Sequence, residues 1–190
     1  MPETPVVPEP VARYEAMSHA ALAAQVHEGN DPAAAGSAGA RWSELSGKLR
    51  DSIGSLTALA ADSQENWQGE TGDAMRAVLA KAAGWLGETA TVSTVVGDAV
   101  AGQAEVAARA RAEMPEPVEF DPAAMIRSAA ASGDVLELAG LSFAMDVRRE
   151  AAEAARQKAI DVLRTRDTAL RGLVPQAAFP AAPVLGSEQA

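Results

Sequence analysis

The chain has 190 residues and a formal net charge of −10, from 26 acidic and 16 basic side chains. That length suits one domain or one elongated helical unit, and the acidity opposes binding to a phosphate backbone. With no cysteine there is no disulfide and no thiolate metal site, so cysteine usage says nothing about the redox compartment.

Residues 1–10, rich in proline, are expected to be a flexible, extended N-terminus. The start, "MPETPVVPEPVARYEA", lacks the basic region and apolar run of a signal peptide. No apolar run approaches the roughly 20 residues of a membrane span. From Val11 to about Glu28 the composition predicts a helix, with Tyr14, Met17, Ala21, Leu22 and Val26 as a loose stripe. "GNDP" at 29–32 ends it.

The next helix is expected from about Ala33 or Ser37 to Glu65. Trp42, Leu45, Leu49, Ile53, Leu56 and Leu59 recur every three or four residues and line one face. A break follows at "NWQGETG", with Thr71 as the expected cap of the following helix. That helix should run from about Thr71 to Ala112. Along it Met75, Val78, Ala82, Trp85, Thr89, Val92, Val96 and Ala99 form a heptad-like seam with several small members. Trp85 lies 18 residues, or five turns, beyond Trp67, so the two indoles would share a face if this helix reached back that far. Gly84, Gly87 and Gly102 each cost about 1 kcal/mol relative to alanine in a helix. Close approach of a neighbouring backbone is one reading of them.

"MPEPVEFDP" at 114–122 is a firm break. Asp121 and Pro122 then open a short helix to about Ala131, which "SGD" at 132–134 ends. A last helix, rich in Ala, Arg and Glu, starts near Val135 or Leu141 and reaches about Leu173; a flexible Pro/Ala tail, 173–190, follows. No strand pattern occurs. The expected fold is all-α: an elongated helical bundle built on a long antiparallel helical hairpin, occupying 11–172 with its break at 114–122, with an extended N-terminus and a disordered C-terminal tail.

His19 and His27 have no cysteine or carboxylate at metal-ligand spacing. Glu113, Glu116 and Glu119 flank prolines and read as a solvated turn. No nucleophile elbow is present. The residues therefore predict neither a metal site nor a cofactor site, and no enzyme.

"NWQGETGDAMRAVLAKAAGWL" resembles the W-x-G-x-x-A-x-A-M … W-L signature of the PPE family, substrates of type VII (ESX) secretion. Trp67, Gly69, Ala74, Met75, Trp85 and Leu86 take the matching places, and Thr71-Gly72 replaces the family's alanine. "SAGARWSELSGKLRDSIGSL" is similar to the family's A-x-x-W-x-x-L segment through Ala40, Trp42, Leu45 and Leu49. "AEVAARARAEMPEPVEF" is similar to its Y-E-x-A … V-P-x-P stretch. The resemblance covers about 11 to 172. The N-terminal P-P-E tripeptide is absent, and the match weakens after Pro122.

The resemblance implies a protein that pairs with a small helical-hairpin (PE-like or W-x-G) protein. A cytosolic chaperone then delivers the pair to the secretion ATPase. The resemblance also implies synthesis in the cytoplasm and export to the cell surface or beyond. It implies a hairpin turn at Trp67 and Gly69, and a partner or core seam through Trp42, Leu45, Leu49, Met75, Val78, Trp85 and Leu86. By position it places the chaperone-binding tip at about Ala131 to Leu141, with Val135, Leu136 and Leu138 as apolar candidates. The Y-x-x-x-D/E export signal is missing, since Tyr14 is followed four residues later by Ser18, so the partner would supply it. Two other readings remain: a secreted structural protein that forms homo-oligomers through the same seam, and the targeting module of a toxin system. Only about 18 residues follow Gly172, too few for a catalytic domain.

Overall fold

The computed structural model describes residues 13–185, and the N-terminal stretch 1–10 lies outside them. The described residues are all-α, without a strand among them. After a 3-10 turn at Tyr14–Ala16 come α1 (His19–His27), α2 (Pro32–Asn66), α3 (Glu70–Glu113), α4 (Pro122–Ser132) and α5 (Val135–Gly172).

Local chemistry sets most of these boundaries. Asp31 accepts from the Ala33 and Ala34 amides, 3.0 Å each, with Pro32 at the first helical position of α2. Asp121 and Pro122 repeat the device on α4. Gly133, at φ 66°, closes α4 in the left-handed region, and Asp134 Oδ1 accepts from the Leu136 amide at 2.8 Å to open α5.

Two boundaries differ from expectation. The single helix predicted from Val11 is interrupted at Met17–Ser18, because Ser18 takes extended angles and its hydroxyl caps α1 through the Ala21 amide. Thr71 is not the cap of α3: the helix already begins at Glu70, after Gly69 at φ 90°, and the Gly69 carbonyl accepts from the Asp73 amide. Trp67 consequently caps the end of α2 and is not part of α3, so the two indoles do not share one helix.

The chain divides into two compact units, and α3 contributes to both. Within the described residues the first holds 31–105 and the stretch from Leu173 onward; the second holds the segment up to Asn30 and Val106–Gly172.

In the first unit, α2 and the leading part of α3 pack antiparallel. Gly36 faces Ala104, Gly39 faces Gly97 and Ala101, Ser46 meets Ala90 and Thr94, and Ile53 meets Gly87. Higher positions on α2 meet lower ones on α3. The line on α3 is 87, 90, 94, 97, 101, 104, with alternating steps of three and four. It is offset from the line of larger residues that the sequence suggests. Small side chains let the backbones close in: a Cβ built on Gly39 would stand 3.0 Å from the Gly97 oxygen and the Ala101 nitrogen. Of the three glycines singled out in the sequence, Gly84 has nothing near it and Gly87 makes only an ordinary contact with Ile53. Gly102 is tight against Leu173, but through its side chain. Ser46, fully buried, keeps its hydroxyl satisfied by donating to the Ala90 carbonyl at 2.9 Å.

The second unit has the larger side chains in its core: Tyr14, Leu22, Val26, Met114, Ile160 and Leu163. They join the 3-10 turn, α1, the end of α3 and α5. The polar shell of α5 ties down the 3-10 turn and α1. Arg156 Nε donates to the Met17 carbonyl at 3.2 Å, Arg166 Nη1 to the Gln25 carbonyl at 3.1 Å, and Arg164 pairs with Glu15. Tyr14 donates its hydroxyl to Asp167 at 2.5 Å, and Arg166 holds the same carboxylate from the other side.

Candidate functional site

Among the described residues no group of His, Asp and Glu could hold a metal ion, and no helix is long and apolar enough to cross a membrane. Each histidine has a partner at one ring nitrogen, while His19 Nδ1 is buried without one. His19 Nε2 lies 3.1 Å from the Pro115 carbonyl, and Arg111 Nε donates to His27 Nδ1 at 3.2 Å. The features that invite a functional reading are surfaces.

The first is the α2–α3 turn. Trp67 is 56% exposed and caps α2 by donating its amide to the Ser63 carbonyl at 2.8 Å. Arg76, nearly two turns into α3, reaches back to this helix end. Its Nη1 donates to the Trp67 carbonyl (3.0 Å), the Ser63 carbonyl (3.3 Å) and the Ser63 hydroxyl (3.2 Å), while Nη2 pairs with Asp73 at 2.6 Å. A guanidinium at a helix C-terminus satisfies orphan carbonyls and complements the macrodipole. Gly72 is needed for this closure, since a Cβ there would sit 2.1 Å from the Trp67 oxygen. Sequence reasoning missed Arg76, whose partners lie on another helix. Leu59, Asp62, Ser63, Asn66, Trp67 and Met75 line an open cleft beside the turn.

The second is the set of large apolar side chains left exposed on α2 and α3 in the first unit. Leu45 and Leu59 on α2 and Val78 and Val95 on α3 are exposed, and Leu49 and Leu86 are half-buried. Burying the small residues between α2 and α3 leaves these larger ones outside that contact. Trp42 and Trp85 are half-buried and meet the stretch that follows α5. The Trp42 ring stacks on Phe179 with centroids 5.7 Å apart, and Trp85 Nε1 donates to the Pro180 carbonyl at 3.2 Å. That stretch was expected to be loose; up to residue 185 it carries no helix, yet it makes these contacts.

The third surface is the start of α5. Val135, Leu136 and Leu138 are all exposed, Leu136 at 80%, and Phe143 one to two turns on is 74% exposed. Phe143 was not singled out in the sequence, although its spacing of seven from Leu136 is a helical one.

A helical chain with a tryptophan-bearing turn and these exposed apolar faces agrees with the comparison of its sequence: residues 13–136 match the model of the PPE family. The chain belongs to the PPE family. No curated protein matches it. The match in this PPE protein takes in α1 to α4 and stops at the opening of α5, short of the resemblance traced through the motifs to about residue 172. PPE membership is consistent with an association with type VII secretion and with protein partners.

Proposed function

We propose that this PPE protein is a type VII secretion substrate that pairs, for export, with a small PE-like or W-x-G helical-hairpin protein. One observation carries the reading. The α2–α3 contact consumes glycine, serine and alanine, and leaves Leu45, Leu59, Val78 and Val95 exposed on a family member. An apolar helical face of this kind is buried well when further helices lie on it. The partner would cover that face and supply the Y-x-x-x-D/E signal, which the sequence around Tyr14 does not match. The exposed Val135, Leu136 and Leu138, with Phe143, would be the contact for a cytosolic chaperone, which hands the pair to the secretion ATPase for release at the cell surface or beyond. The role is one of docking, not catalysis.

Coexpression with small helical-hairpin proteins encoded beside the chain, followed by size-exclusion chromatography, tests this. A one-to-one complex is expected, and Leu45→Asp with Leu59→Asp should dissolve it while helicity persists. Failure of every such neighbour to form a stoichiometric complex would overturn the proposal.

A further inference from the structure

The stretch after α5 follows α3 backwards. Leu173 lies on Gly102, and its carbonyl accepts from Gln103 Nε2 at 3.4 Å. Pro180 accepts from Trp85 Nε1 at 3.2 Å, and the Val184 carbonyl accepts from Lys81 Nζ at 2.9 Å. Lys81, Trp85 and Gln103 share one face of α3, since four residues make about one turn and 18 make five. Phe179 bridges from this line to Trp42 on α2. All these contacts lie inside the first unit.

The sequence of the stretch suits this placement. "LVPQAAFPAAPVL" at 173–185 has prolines at 175, 180 and 183, which cannot extend a helix and favour an extended backbone that loses little entropy on docking. Its three anchored groups are backbone carbonyls, read by side chains of α3, and an indole N–H over a proline-bearing segment is a recurrent way of holding such chains. The seating is shallow: Phe179 stays 48% exposed, and Val184 and Leu185 are exposed as well. Two of the residues so covered, Trp42 and Trp85, belong to the partner or core seam that the family resemblance implies.

We infer that residues 173–185 are an intramolecular strap over the α2/α3 face, which the helical-hairpin partner must displace to dock. This rests on the partner reading above and adds a competition to it. The chain alone keeps its two seam tryptophans covered, and pairing exchanges a shallow extended ligand for a helical one that buries more.

The test uses the full chain, which has no native cysteine. Lys81→Cys and Val184→Cys, joined by a short cleavable bifunctional reagent, lock the strap in place. The probe is the hairpin protein recovered in the coexpression experiment. The locked chain should lose complex formation and regain it when the linker is cleaved. Phe179→Ala, unlinked, should associate about threefold to tenfold more tightly, the size expected for removing one aromatic stack from the competing ligand. Hydrogen exchange of 173–185 in the native chain should accelerate when the partner is added. If the locked chain pairs as well as the unlocked one, or exchange in 173–185 stays unchanged in the complex, the strap is no competitor and the partner reading stands without it. If no form of the chain pairs, cleaved and Phe179→Ala included, the partner reading falls and takes the competition with it.

Discussion

At Gly39 and Gly97 the backbones of α2 and α3 come into contact, and a single methyl group decides the sign of a substitution there. Gly39→Ala gains about 1 kcal/mol of helix propensity. It must also push apart the Gly97 oxygen and the Ala101 nitrogen, each 3.0 Å from the new carbon, and neither is a flexible side-chain end. Overpacking costs about 1–3 kcal/mol, so urea denaturation followed by circular dichroism should show a net loss. Gly84→Ala, with open space around it, should instead raise stability by about 0.5–1 kcal/mol. Arg76→Ala removes the donor from the Trp67 and Ser63 acceptors and should cost about 1–3 kcal/mol in the same assay.

Tyr14 gives a pH signature. Burial raises its pKa above the ordinary 10.0, the Asp167 carboxylate adds to this through its hydrogen bond and charge, and Arg166 opposes it. The fold therefore favours the neutral phenol. The resulting stability is fully present below the unfolded pKa and is lost as pH rises through the folded one. As pH rises above about 10 the native chain should lose more stability than Tyr14→Phe does. Equal slopes for the two would show that the hydroxyl contributes nothing to the pH dependence.

The helices differ in how much of their character is local. α2 and α4 start where an aspartate and a proline say they should, and α4 ends at the glycine that says so, because a cap is settled within a few residues. α3 offers two lines at helical spacing, on different sides of the helix. One is large (Met75, Val78, Trp85, Val92), the other small (Gly87, Ala90, Thr94, Gly97, Ala101, Ala104). Hydrophobicity favours the large line, whereas the distance between α2 and α3 selects the small one. Nothing within α3 announces that distance. At the start of α5, Leu136 is exposed, so Leu136→Asp should change stability by no more than about 0.5 kcal/mol. If the chaperone reading is correct, the same substitution abolishes capture by the chaperone in a pull-down. A large drop in thermal midpoint would instead mark Leu136 as structural.

For the molecule as a whole, the consequence of these exposed faces is thermodynamic linkage. A partner that binds only the folded chain raises its stability by about 2.7 kcal/mol at a hundredfold excess over Kd. The thermal midpoint of the mixture should therefore climb with partner concentration, and a midpoint independent of concentration would refute pairing with the native fold.

Helical class, the main breaks and the motif that carries the family resemblance were all readable in the chain, because propensity, capping and proline chemistry act over a handful of neighbours. Three features were not: the packing line of α3, the clasp of Arg76 on the preceding helix, and the seating of Phe179 and Pro180 on Trp42 and Trp85. Each joins residues distant in sequence, and each depends on how closely two backbones approach, which side-chain volume on both partners sets together.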